Sequence, residues 1–210
     1  MATVRNLLGI FCFAFFGQLT QFSGNFLSSE VKKVDGGKEV RWEDGKVGDH
    51  QLPSSTTTQL HRSTILRIAQ SQIGIRETTG KNDGVVVEAY LRYTGNKKGE
   101  PWCASFVSWI YGKAGHVKPK TAWSPALFPL ARQTLNPLPA DVFGIYFSKL
   151  KRIAHCGLIE KQHGKWFTTI EGNTNWDGSR EGDGVYRKLR HQRSIKYYAN
   201  WIKKSKEVLK

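Results

Sequence analysis

Three residue classes are scarce in this chain: 3 Cys, 1 Met and 17 Asp or Glu stand beside 32 Lys or Arg in 210 residues. There is no CxxC pair and no HExxH, so the common zinc-site spacings are missing. No segment recurs at a fixed period, which sets aside solenoids and propellers. No apolar run reaches the roughly 20 residues that a membrane-crossing helix needs. What is present suits a folded domain: hydrophobic residues make up 39% of the chain and aromatics 12%. That is far from the composition of a disordered protein, and the length favours one domain with spare residues at its ends.

The net charge of +15 attracts polyanions through a long-range field and says little about fold. Nucleic acid, anionic membranes and anionic cell-wall polymers all qualify as partners on charge alone. The N-terminus narrows them. Arg5 precedes the short apolar run Leu7 to Gly17 (LLGIFCFAFFG), and a basic start followed by a short apolar core reads as a secretory signal. Phe22-Ser23-Gly24 is a poor cleavage site, so retention as an anchor and a buried N-terminal element stay open. Export places the protein in a secreted or periplasmic setting. It favours the bacterial envelope over nucleic acid, and no stable membrane span is expected in the mature chain. Cys12 leaves with the signal, and Cys103 and Cys156 remain, able to pair as one disulfide in an oxidising compartment.

Four regions follow. Residues 1–24 read as the signal, and 25–60 as a loose Ser/Thr/Gly-rich tether. A domain spans 61–202, and 203–210 form a basic tail. Ser63 reads as an N-cap for a helix with Ile65, Ile68, Ala69 and Ile73 on one side. A Gly-rich turn leads to a second helix over 86–93. Pro101 opens a third, because proline suits a first helical turn and not an interior. That sets Cys103 in the first turn, with Ala104, Val107 and Tyr111 on an apolar flank. A short helix is expected near 126–134 in a proline-punctuated stretch. Strand patterns then run over 142–148, 153–160, 166–173, 185–190 and 195–201. Helices first and antiparallel strands after argue for an α+β domain.

Within this layout one set of side chains converges. A three-residue hairpin loop, Gln162-His163-Gly164, pairs His155 with Glu171 and sets Asn173 on the same sheet face. A slip of one residue would send Glu171 to the other face. A thiol at a helix N-terminus feels unpaired N–H groups and the positive end of the dipole, which favour thiolate. His155 is placed to take its proton, and Glu171 or Asn173 to fix the imidazole tautomer. Backbone N–H groups beside Cys103 are placed to hold an acyl oxyanion. Each residue has a plainer reading: a core cysteine, a structural histidine, a turn-forming Glu-Gly-Asn. In this register Cys156 points away from His155 and should not reach Cys103. It then serves as a small apolar residue. For Asp83, within Lys81-Asn82-Asp83-Gly84, an Asx turn is favoured over calcium binding. No metal or other cofactor is expected.

Pro101-Trp102-Cys103-Ala104-Ser105-Phe106-Val107-Ser108-Trp109 resembles the nucleophile helix of CHAP domains, the cysteine, histidine-dependent amidohydrolases and peptidases. Ala154-His155-Cys156-Gly157-Leu158-Ile159 resembles their histidine strand, and Ile170-Glu171-Gly172-Asn173-Thr174 the segment with the third and fourth polar residues. Glu77-Thr78-Thr79-Gly80 and Asn82-Asp83-Gly84 are similar to a bacterial and phage branch. The resemblance covers about residues 63–200. It implies a papain-like fold, with N-terminal helices packed on an antiparallel sheet, and cleavage of peptidoglycan amide bonds through a thioester acyl-enzyme. On matching positions it implies Cys103 as nucleophile, His155 as base, Glu171 as orienting acid and Asn173 as an assisting group. A cysteine beside the histidine departs from the usual aliphatic residue. Trp102 and Trp176 are expected to line a substrate groove, with Trp123 a weaker candidate.

Residues 185–210 carry nine Lys or Arg against one Glu. That basic end suits docking on anionic wall polymers, or simply a solvated tail. Peptidoglycan is the expected partner and a monomer the expected state. Two other functions fit the same sequence. One is an envelope-binding protein on a CHAP scaffold without catalysis. The other is an acyltransferase or toxin using the same side chains.

Overall fold

The computed structural model describes residues 54–177 and 182–202. The expected signal segment and basic tail lie outside them, as do residues 25–53 of the expected tether. The described residues form an α+β domain. Three helices come first: α1 (Ser54–Ser71), α2 (Val85–Thr94) and α3 (Cys103–Lys113). Five strands follow: β1 (Val142–Phe147), β2 (Arg152–His163), β3 (Trp166–Thr174), β4 (Gly184–His191) and β5 (Tyr197–Ala199). They make one antiparallel sheet in the order β4-β3-β2-β1-β5. No helix among the described residues is long and apolar enough to cross a membrane.

α3 is the centre of the fold. It packs on β2 and β3 with α1 and α2 beside it. Ala104, Phe106, Val107, Ile110 and Tyr111 are all buried, and so are Ser105 and Ser108 between them. A helix buried on nearly every side must satisfy its own polar side chains. Ser105 shares a hydrogen bond with Thr94, and Ser108 bonds Thr121. Burial of a side chain such as Phe106 or Ile110 contributes about 1.5–3 kcal/mol. Helix-side sheet residues including Val142, Leu158 and Ile170 complete this core, while Phe143, Ile159 and Phe167 form a second cluster.

Two local expectations differ from the structure. α1 starts at Ser54, well ahead of the expected cap, and the Ser63 hydroxyl bonds back to Leu60 O within the helix. The first two turns stand largely in solvent. They carry no apolar stripe, so a reading based on burial passes over them. The expected helix near 126–134 is two 3₁₀ turns, Ser124–Leu127 and Leu130–Arg132. Pro129 separates them, because it lacks a donor and drives Phe128 out of the helical region (φ −124°, ψ 47°).

The β2–β3 connection decides the site. Its loop has two residues, Gly164-Lys165, with His163 paired to Trp166. Gly164 sits at φ 58°, the first central position of a type II′ turn, where glycine has no side chain to clash. That tight turn alone would put Glu171 on the face opposite His155. An irregularity at Glu160 changes the pairing from Lys161↔Thr168 to Ile159↔Thr169. One extra residue in β2 reverses the face again. Carried onward, the register sets Gly157 beside Glu171 and His155 beside Asn173, so His155 meets Glu171 diagonally. Gly157 makes this possible, since a Cβ there would lie 2.9 Å from Glu171 Cγ and 2.8 Å from Ile170 O.

Candidate active site

Cys103 opens α3, 6% exposed. The first N–H groups of a helix have no partner inside it, so the thiol sits at the positive end of the dipole. Trp102 provides no side-chain cap. Asn173 replaces it from β3: with the amide turned so that both ends are satisfied, its oxygen accepts from Trp102 N at 2.9 Å and its nitrogen donates to Gly182 O at 3.2 Å. Asn173 therefore holds the turn that presents Cys103, in a left-handed conformation with φ 53°.

His155 Nε2 lies 2.7 Å from Glu171 Oε2, which leaves Nδ1 for the thiol. Glu171 is wholly buried and saturated with donors. Arg190 clasps it with two bonds, Nε to Oε1 at 2.8 Å and an Nη2 to Oε2 at 2.7 Å. Thr169 Oγ1 donates to Oε1 at 2.6 Å. A planar guanidinium matches a carboxylate in this way and fixes its plane as well as its charge.

These contacts set the protonation states. Burial opposes ionisation of Glu171, but Arg190 and then His155 outweigh it and hold the carboxyl far below the usual range. Burial also pulls His155 down, yet Cys103 and Glu171 together raise it to about 9. A hydrogen bond from the Cys156 thiol, opposed by burial and joined by His155 and Ser124, brings Cys103 well below an ordinary thiol. Cys156 moves the other way, pushed up by burial and then by Cys103. Both shifts favour a thiolate beside an imidazolium, the form in which a cysteine is nucleophilic.

Cys103, His155 and Asn173 line a cleft of about 390 Å³, and Ser124, Trp123, Arg152, Asn82, Asn96 and Glu100 are among its other walls. The two tryptophans expected to line a groove do not. Trp102 is fully buried against Tyr90 and Phe106, and its indole N–H donates to Glu77 at 2.8 Å. Its spacing of four from Phe106 puts both on one helical stripe, which is a packing signal. Trp176 is exposed with its ring edge-on to Tyr186, and it is not among the residues that line this cleft. Trp123, the weaker candidate, is in the wall and 53% exposed, with the Arg152 guanidinium carbon 4.3 Å from its ring centre.

The expectation that Cys156 cannot reach Cys103 also fails. Ser124 Oγ lies 3.4 Å from Cys103 Sγ and 3.9 Å from Cys156 Sγ, so both sulfurs share one hydroxyl. Alternation along β2 sends His155 and Cys156 in opposite directions, but the first turn of α3 lies over the strand and meets both. Both thiols are free. Asp83 accepts from Thr79 N at 2.9 Å and Thr79 Oγ1 at 2.8 Å, so it closes the loop back on a residue four earlier rather than making the expected Asx turn two residues on. Among the described residues no His, Cys, Asp or Glu cluster has the makings of a metal site.

Ser124, Arg190 and Thr169 were not among the residues singled out from sequence. Ser124 lies within a proline-punctuated stretch without periodicity. Arg190 is opposite Phe167, four pairs along from Glu171, so only the β3–β4 register reveals its reach.

No protein-family model matches the chain, and no curated protein does. Among solved structures, the peptidoglycan hydrolase RipB from Mycobacterium tuberculosis is similar at 13% identity and a TM-score of 0.45, over 77% of this chain and 74% of that one. Ly7917 is similar at 14% identity and a TM-score of 0.39, over 65% of this chain and 60% of its own. Ly7917 with the hydrolysing product of MDP gives 15% identity and a TM-score of 0.37, over 65% and 61%.

Proposed function

We propose that this protein is an exported cysteine amidohydrolase or endopeptidase that cuts an amide bond of bacterial peptidoglycan. The observation that carries the reading is the chain of contacts from Arg190 through Glu171 and His155 to Cys103 in an open cleft. A structural cysteine and a structural histidine need neither the cleft nor the opposed shifts of their protons. The Cys103 thiolate attacks the amide carbonyl, and the first N–H groups of α3 receive the oxyanion. His155, protonated at rest, gives its proton to the leaving amine, and the acyl group stays on sulfur as a thioester. His155 then takes a proton from water, whose oxygen attacks the thioester and frees Cys103. Glu171 keeps the ring oriented and its positive form stable throughout, and Asn173 positions the helix turn.

Peptidoglycan as the substrate rests on the three-motif resemblance to CHAP domains, and export on the N-terminal run. The basic surface suits anionic wall polymers. Incubating the protein and its Cys103→Ala variant with peptidoglycan, followed by mass spectrometry, tests the reading. Amide-cut fragments from the parent alone are expected, and they identify the bond. Wall binding by both proteins with no fragments from either, the thiol being kept reduced, would leave a binding protein and end the hydrolase reading.

A further inference from the structure

Arg152 is the strongest feature of the cleft that the chemistry above does not use. It is the first residue of β2, three before His155, and it lines the same cleft as Cys103. One Nη1 bond to Ile153 O at 3.0 Å and the Trp123 ring beneath it hold the guanidinium in place. A guanidinium has five N–H donors in a planar fork. Among the described residues no carboxylate forms an ion pair with Arg152, in contrast to Arg62, Arg76, Arg187 and Arg190. Trp123 offers both a cation-facing ring and exposed flat surface at the rim.

We propose that Arg152, seated on Trp123, is a carboxylate-binding subsite that selects substrates carrying a free carboxylate near the scissile amide over those carrying a carboxamide. This rests on the reading of the cleft as a site of amide cleavage. The unused donors fit the two oxygens of a carboxylate. A carboxamide has one oxygen, and its NH₂ group would point donors at donors. The Trp123 ring covers the apolar part of the same substrate residue. Glu100, in the cleft wall with one oxygen accepting Lys97 N at 2.6 Å, adds a negative charge that disfavours an anion placed elsewhere in the cleft.

The test uses the full chain with Cys103→Ala, so that ligand stays intact. Two stem peptides, identical except for a free α-carboxylate or its carboxamide, are titrated by calorimetry. A charge-assisted pair makes the carboxylate peptide bind about tenfold more tightly. Adding Arg152→Gln removes that preference. Arg152→Lys, with charge but no fork, restores only part of it. Equal binding of the two peptides, or a preference that survives Arg152→Gln, overturns the subsite. The parent enzyme is run in parallel on the same peptides. Cleavage without a carboxylate preference sinks the subsite and keeps the amidase, whereas neither cleavage nor binding sinks both.

The two sulfurs on Ser124 carry a second inference independently. We infer that Cys156 is a resolving cysteine, closing a reversible disulfide on Cys103 when a hydroperoxide oxidises it. The Cys103 thiolate attacks the O–O bond, gaining a hydroxyl as sulfenic acid and releasing hydroxide, or alkoxide from an organic peroxide. The Cys156 sulfur then displaces that hydroxyl, which leaves as water with the Cys156 proton. Two electrons pass from the sulfurs to the peroxide. Hydrogen peroxide treatment of the full chain, with peptide mapping, is expected to give a Cys103–Cys156 linked peptide that dithiothreitol reverses. In Cys156→Val and Cys156→Ala, Cys103 goes on to sulfinic acid that dithiothreitol does not reverse. Overoxidation of Cys103 in the parent as fast as in both variants, with no linked peptide, overturns the inference.

Discussion

Two buried carboxylates, each facing an arginine, are put to different ends. Asp141, just before β1, is fully buried and meets Arg62 of α1 at 2.8 Å. Glu171 on β3 is equally buried and meets Arg190. Arg62 gives Asp141 one nitrogen, shares that nitrogen with Pro139 O, and a single backbone N–H from Leu138 completes the set. Burial prevails there and raises the Asp141 carboxyl above its ordinary value. Glu171 has a two-pronged arginine, a threonine hydroxyl and an imidazole, and its carboxyl is held down. The number and orientation of donors, more than the presence of an arginine, decide whether a buried carboxylate keeps its charge. One pair ties α1 to the residue that leads into β1. The other passes its charge to a histidine that opens on a cleft.

That contrast is broken most sharply at Glu171. Glu171→Gln keeps the shape and removes the charge. Turnover is expected to fall by about 10²–10⁴-fold, as when a triad acid is neutralised. The alkaline limb of the pH–rate profile, expected near 9 in the parent from His155, should move to lower pH because a cause of the raised value is gone. Steady-state rates against pH measure both. An unmoved alkaline limb would mean that Glu171 does not hold the imidazolium.

Asp141→Asn should do the reverse. Arg62 is left buried without its counter-charge, and removing one partner of a buried pair costs about 3–5 kcal/mol. Denaturant unfolding reads that loss, while activity of the folded fraction at low temperature stays near the parent's. Arg190→Met lies between the two. Glu171 keeps His155 and Thr169 but loses the groups that fix its plane, and about tenfold lower kcat with unchanged KM is expected. A loss of stability alone, with kcat intact in the folded fraction, would make Arg190 like Arg62.

Much of this was legible in the sequence because strand alternation is a strong signal. The five strand patterns lie where strands form, and His155 and Glu171 were expected on one face, as they are. The route to that face was different. The three-residue loop gives way to a two-residue turn plus an irregularity at Glu160, and two one-residue changes cancel in their effect on side-chain direction. Turn chemistry can be read locally, whereas an extra residue within a strand depends on the packing of both faces. The groove residues were harder for a similar reason. Trp102 and Trp123 are the same residue type near the same thiol. The spacing of Trp102 from Phe106 hints at packing, and the tertiary fold sets it under α2 and Trp123 beside Arg152. Arg190 needed the register of a fourth strand, which no local pattern carries.

The smallest effect concerns the proton shared by Cys103 and His155. At pH between about 6.5 and 8.5 the unfolded chain holds a protonated thiol and a neutral imidazole. The folded chain is expected to hold a thiolate and an imidazolium, since Cys103 is lowered and His155 raised to about 9. The proton moves from sulfur to nitrogen on folding, and the number bound does not change. Stability follows the difference in bound protons, so this pair contributes no slope with pH across that window. Cys103→Ala breaks the balance. His155 loses the raising effect of Cys103 but retains that of Glu171 against burial, and folding is expected to take up a proton. Its contribution is full below about 6.5 and is lost as pH rises through the folded value, with a slope of at most about 1.4 kcal/mol per pH unit. Urea unfolding of the two proteins at several pH values compares the slopes. A steeper decline with rising pH in the variant supports a resting ion pair. Parallel curves would mean that Cys103 and His155 are both neutral at rest, with the thiol giving up its proton only when substrate arrives.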